Sequence, residues 1–142
     1  MAEPLADRLI GKIMYEMDES FENLLSRGET LTVEFKSDAK GLPDRDLVAT
    51  VVAMANTEGG RILLGVEDDG AVTGIQPAHR DTAGLVALIA NRTSPTVIVS
   101  AKLLAHKGGK VLSITVPKSR GIVSTTEGQL LRRRIMATGK PD

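Results

Sequence analysis

Hydrophobic and polar positions alternate along this chain with two clear periods. From residue 3 to 25, Leu5, Leu9, Ile10, Ile13, Met14, Met17, Phe21, Leu24 and Leu25 recur at helical spacing, with Glu16, Asp18, Glu19 and Glu22 opposite them. That pattern predicts an amphipathic helix, closed by Ser26-Arg27-Gly28. From Glu29 to Lys36 the period becomes two: Leu31, Val33 and Phe35 alternate with Thr30, Thr32, Glu34 and Lys36, as in a strand. A polar loop, Ser37 to Leu42, leads to a second helix. There Leu47, Val48, Val51, Val52 and Ala55 share one face, and Pro43, Asp44 and Asp46 suit the helix start. Gly59-Gly60 ends it.

Arg61 to Val66 is a short apolar run fit for an interior strand. Glu67-Asp68-Asp69-Gly70 then reads as a turn into a short strand that stops at Ile75. His79 to about Arg92 is predicted helical through Leu85, Val86, Leu88 and Ile89. Thr96 to Leu104 is rich in β-branched residues and predicts a strand. Lys107 to Lys110 is a hairpin turn, and Val111 to Val116 pairs back. Ile122–Ser124 and Gln129–Arg133 flank a turn as a final hairpin.

This order implies an α/β (α+β) fold, a mixed sheet of five to six strands packed with two to three helices. The expected division is an N-terminal helix over 1–25, one domain over 26–135, and a tail or linker start over 136–142. The first strand and the Ile62–Val66 strand are joined by one helix, so a right-handed crossover sets them parallel. Glu34 then lies beside the acidic turn. Fully extended, Glu29 and Glu34 would be roughly 17 Å apart, so a shared ion demands a bend between them.

Composition narrows the chemistry. Aromatic residues are 2% of the chain, too few for a base-stacking platform. Lys+Arg and Asp+Glu are both 18, so any anion-binding face must come from local segregation. Between Lys102 and Lys140 the only acid is Glu127. There is no cysteine, no long apolar run and no signal-peptide pattern, which implies a cytoplasmic chain with no membrane partner. Gly108-Gly109-Lys110 lacks the rest of a P-loop, so no ATPase motif is present. His79 and His106 read as ordinary surface residues.

Two constellations remain. Glu29, Glu34 and the Glu67-Asp68-Asp69 cluster could converge at a sheet edge, and three carboxylates with open oxygens can hold Mg²⁺ or Mn²⁺. Lys36, Lys102, Lys107, Lys110, Lys118, Arg120, Arg132, Arg133 and Arg134 are the candidate nucleic-acid contacts. Along an extended chain Arg132 and Arg134 face one way and Arg133 the other.

The stretch AMANTEGGRILLGVEDDGAVTGI, Ala53 to Ile75, resembles the signature of the Schlafen-type AlbA-like domain. LLSRGETLTVEFKSD upstream and GQLLRRRIMATGKP downstream resemble its first strand and closing basic segment. In that motif Asn56, Gly59, Gly60, Gly65, Asp69 and Gly70 have structural roles. The resemblance implies an AlbA-like architecture and a DNA- or RNA-binding regulatory module. It further implies the N-terminal domain of a bacterial transcriptional regulator, followed by another domain. Binding would require no cofactor. Some such domains are metal-dependent endoribonucleases with two glutamates and one aspartate. Glu29 and Glu34 match the E-x-x-x-x-E-F-K pattern, and Asp68 is the counterpart of the aspartate, with Glu67 next. A nuclease would use these three as catalytic and metal ligands, with Mg or Mn. A third reading is an interaction module that forms a homodimer through the N-terminal helix.

Overall fold

The computed structural model describes residues 21–134. Most of the predicted first helix and all of the predicted tail lie outside these residues. Residues 21–27 are helical. The elements that follow are β1 (Val33–Lys36), α1 (Asp44–Ala55), β2 (Gly60–Leu64), a 3-10 turn (Pro77–Arg80), α2 (Thr82–Asn91), β3 (Thr93–Ser94), β4 (Ser100–His106), β5 (Gly109–Val116) and β6 (Ser124–Thr125).

A four-stranded sheet of order β1-β2-β5-β4 is the frame, with β3 and β6 paired separately. β1 and β2 are parallel, Val33 opposite Arg61 and Lys36 opposite Leu64. β2 with β5 and β4 with β5 are antiparallel. The fold is thus α+β with a mixed sheet, and α1 makes the crossover between the parallel strands.

Both sheet faces are covered. On one, Ile62, Leu64, Leu112, Ile114 and Val116 pack with the buried stripe of α1 and with Leu85 and Ile89 of α2. On the other, Val33, Phe35, Leu63, Val66 and Val111 form a second cluster with Phe21. Leu24 and Leu25 pack around it, so the described end of the N-terminal helix docks on its own domain. Burial of Phe21 contributes about 2–3 kcal/mol by area.

Several boundaries differ from those predicted. β1 starts at Val33, not Glu29, because Thr30 and Val33 bond each other and close Leu31-Thr32 into a turn. The Thr30 hydroxyl accepts the Thr32 amide at 3.2 Å, a local bond that competes with the ladder. β4 starts at Ser100, not Thr96. Before it, Thr93 Oγ1 accepts the Val97 amide at 2.8 Å and fixes the chain outside the sheet. The predicted helix from His79 is divided, since Asp81 caps α2 by accepting from the Gly84 amide. Ser124–Thr125 pairs with β3, while Thr125 to Gln129 closes a tight turn. Among the described residues no helix is long and apolar enough to cross a membrane.

Candidate functional site

The turn at Leu31-Thr32 supplies the bend between the two glutamates. It carries Glu29 back along β1, where Glu29 Oε1 accepts the Phe35 amide at 3.1 Å. β1 is an edge strand, and the carboxylate caps an amide that β2 does not take. Burial pushes the Glu29 carboxyl above its usual range. The charges of Glu34 and then Asp68 add to the rise, against the Phe35 amide and Arg133. Glu29, Glu34 and Asp68 therefore share one electrostatic neighbourhood.

Glu34 is already neutralised. Its Oε1 pairs with Lys36 Nζ at 3.3 Å, and its Oε2 accepts from Arg133 Nη1. Arg133 is 4% exposed. Its Nε donates to the Leu31 carbonyl at 3.0 Å and its Nη2 to the Thr30 carbonyl at 2.8 Å. The Arg133 amide donates to Thr57 Oγ1 at 2.8 Å. Arg133 thus stitches the C-terminal segment to the turn before β1, and its guanidinium is enclosed there rather than offered to a phosphate.

The acidic turn has the predicted form. The Glu67 amide donates to the Ala71 carbonyl at 2.8 Å, and Asp69 Oδ1 accepts the Ala71 amide at 2.9 Å. Glu67 Oε2 accepts from Thr73 Oγ1 at 2.6 Å, and Asp68 is exposed. A divalent ion needs several oxygens free and aimed at one point. Among the described residues no group of three or more His, Cys, Asp or Glu is placed to hold one. Both Glu34 oxygens are engaged by cations. The set does not fit a metal in this arrangement; Arg133 is the cation that sits there.

The basic residues divide into two groups. Lys107 and Lys110 lie at the β4–β5 hairpin, and Lys102 faces Ser113 across the sheet. Lys118 and Arg120 follow β5 at its other end, about 24 Å away along an eight-residue strand. There they line a cleft of about 400 Å³ together with Arg132. Arg132 also borders a hollow shared with Lys36 and another shared with Arg134. The nine cations predicted from the sequence are therefore not one face. Lys118, Arg120 and Arg132 gather at the cleft, and Arg133 turns inward.

Asn56 holds the cleft walls together. Its Nδ2 donates to the carbonyls of Val123 at 2.7 Å and Leu131 at 2.8 Å, and its Oδ1 accepts the Val123 amide at 2.7 Å. A helix-end residue thereby pins two segments more than 60 positions downstream. Gly59 lets the chain after β5 approach, since a Cβ there would meet the Val116 carbonyl at 2.6 Å and the Lys118 amide at 2.7 Å. Gly60 backs onto Thr32 in the same way. Gly65 follows β2, and Gly70 completes the acidic turn.

The Schlafen, AlbA_2 family description matches residues 29–137. The chain belongs to the Schlafen AlbA_2 family. Among solved structures it is similar to the DIP2311 protein of Corynebacterium diphtheriae, with 26% identity and a TM-score of 0.58. That match covers 79% of this chain and 22% of the other, so the chain spans about a fifth of the Corynebacterium protein. It is also similar to the N-terminal domain of a RecG-related protein from Nitrosomonas europaea, named for ATP-dependent DNA helicases. That match has 21% identity, a TM-score of 0.57, and covers 82% of this chain and 87% of that domain.

One buried polar centre of this Schlafen AlbA_2 domain has no signal in the sequence. Asp38 is fully buried; its Oδ1 accepts the Leu42 amide at 2.6 Å and its Oδ2 the Gln76 amide at 2.7 Å. The same Oδ2 lies 2.7 Å from His79 Nδ1. His79 is thus a buried partner of Asp38 and not a surface residue. It fastens the loop before α1 to the 3-10 turn. His106 sits near Glu22 at 3.5 Å and edge-on to Phe21. On the second sheet face Arg61 donates to Ser113 Oγ through Nη2 at 2.8 Å, and burial lowers its affinity for the proton.

Proposed function

We propose that this domain is a nucleic-acid-binding module, serving as the N-terminal domain of a bacterial, cytoplasmic transcriptional regulator. The observation that carries the reading is the cleft beside Asn56. Lys118 and Arg120 arrive from one segment and Arg132 from another, and Asn56 bonds both segments. Cations converging from separate segments on a neutral protein make a local phosphate-binding field. The helicase name of the Nitrosomonas relative supports the same direction.

Binding needs no metal in this reading. The metal-dependent nuclease has less support, because it requires Glu34 to leave both Lys36 and Arg133. Labelled DNA and RNA would be titrated with the full chain across a salt series. The double variant Arg120→Ala/Arg132→Ala is expected to bind about tenfold more weakly to all sequences, with a salt slope shallower by about 2. An unchanged affinity and slope would remove the cleft as the binding face. Mg²⁺ or Mn²⁺ is expected to leave both nucleic acids uncut.

A further inference from the structure

We propose that the cleft beside Asn56 is a subsite for one unpaired base of a single-stranded nucleic acid. Ile122 and Leu130 cover the base, and Lys118, Arg120 and Arg132 hold the phosphates beside it. This rests on the nucleic-acid-binding reading above.

The first observation concerns where apolar surface is left in water. Among the described residues the exposed large hydrophobics are Ile98, Ile122 and Leu130. Ile122 is 75% exposed and Leu130 68%, and both line this cleft. Single exposed apolar residues need no explanation, but two in one cleft with three cations at its rim form an amphiphilic site. Its volume of about 400 Å³ lies in the range of small-ligand pockets. A duplex presents phosphate and sugar outward and keeps its base faces stacked inside, so it would wet Ile122 and Leu130. An unpaired nucleotide offers a flat apolar face and a phosphate together.

The polar groups of the walls point the same way. The Asn56 amide is spent on Val123 and Leu131. Thr57 Oγ1 donates to the Ala53 carbonyl and accepts the Arg133 amide. Ser119 Oγ, also in the cleft, donates to the Gly121 carbonyl at 2.6 Å, so none of these three side chains has a hydrogen left to donate to a base edge. The subsite therefore holds a base by its face and tolerates sequence, as single-strand binders do. Aliphatic contact is weaker than aromatic stacking, so the gain per base is small. An acidic amphipathic peptide has related chemistry. The cationic border favours a polyphosphate chain, because Arg132 also lines the hollows of Lys36 and Arg134. The carboxylates there, Glu34 and Glu58, each have a cation partner, Glu58 pairing with Lys118 at 3.4 Å.

The test uses the full chain, fluorescence anisotropy, and three probes at one salt concentration. These are an oligothymidylate of about twelve nucleotides, the same backbone without bases, and a duplex of equal length. The oligothymidylate is expected to bind about three- to tenfold more tightly than the abasic strand. The variant Ile122→Ser/Leu130→Ser should abolish that difference and leave duplex affinity and the salt slope unchanged. Both side chains are exposed, so the variant keeps the fold, as circular dichroism would verify. If the intact protein binds the abasic strand as tightly as the thymidylate, the subsite is refuted. It is also refuted if the apolar variant retains the difference. In either case a loss of affinity in Arg120→Ala/Arg132→Ala keeps the nucleic-acid reading. Failure of all three probes to bind removes both. A synthetic peptide of residues 1–25 is the remaining arm. If it binds in a manner abolished by Ile122→Ser/Leu130→Ser and does not compete with the thymidylate, the cleft is a peptide dock and the proposal falls.

Discussion

Arg133 Nη1 donates to Glu34 Oε2 across 99 residues of chain, with their side chains only 3% and 13% exposed. The pair decides how the acidic edge of the sheet behaves. Glu34 keeps company with Glu29 and Asp68, and the charge that offsets them is built into the protein.

Arg133→Met is expected to cost about 3–5 kcal/mol of stability, because Glu34 Oε2 and the carbonyls of Thr30 and Leu31 lose their donor in a nearly dry site, and only Lys36 is left to Glu34. The double variant Glu34→Met/Arg133→Met should cost less than Arg133→Met alone, since the carboxylate leaves with the guanidinium and the half-buried Lys36 can turn to water. Urea unfolding of the cycle measures the coupling. Additive losses would show that the two side chains act independently.

Asn56→Ala removes three hydrogen bonds that join the helix end to the cleft walls. The expected loss is about 2–4 kcal/mol. The signature is local: the Val123 amide should lose its protection against hydrogen exchange well before amides of β2. Uniform protection after the change would contradict the pinning role.

Asp38→Ala deprives the amides of Leu42 and Gln76 and the ring of His79 of their acceptor. About 3 kcal/mol should be lost. His79→Ala should cost less, because Asp38 keeps its two amide donors. A denaturation series that ranks them in the reverse order would overturn this assignment.

Glu29 gives a pH dependence with a definite sign. Its folded pKa is raised from 4.5, so folding favours the protonated carboxyl. That contribution is fully present below about 4.5 and is lost as pH rises through the higher folded value. Glu29→Gln retains an acceptor for the Phe35 amide and cannot ionise. Its melting temperature should therefore gain on the parent protein as pH rises through this window and hold a constant lead above it. A lead that shrinks with rising pH would reverse the assignment.

Periodic features were legible and isolated ones were not. The spacing of Leu47, Val48, Val51, Val52 and Ala55 marks the buried face of α1, and all five are buried. The single helix between two apolar strands made their parallel pairing readable. Alternation continues from Glu29 to Lys36, yet the Thr30 hydroxyl breaks the strand, because a local bond leaves no mark on hydrophobic period. Asp38 is one acid in a polar loop, and its partner His79 lies 41 residues on. Three consecutive arginines resemble a solvated run. Their alternation separates Arg133, which is buried, from Arg132 and Arg134, which are exposed. Only the fold reveals that the acceptor waiting for Arg133 is in β1.

The late position of Arg133 in the domain also orders events during synthesis. β1, α1 and β2 can leave the ribosome and meet while residues 131–134 are still unmade. At about 5–20 residues per second, the 99 residues between Glu34 and Arg133 take roughly 5–20 s to add. Through most of that interval Glu34 lacks its guanidinium, Asn56 lacks the Val123 and Leu131 carbonyls, and the carbonyls of Thr30 and Leu31 lack their donor. This domain is sealed by residues close to the end of the family match.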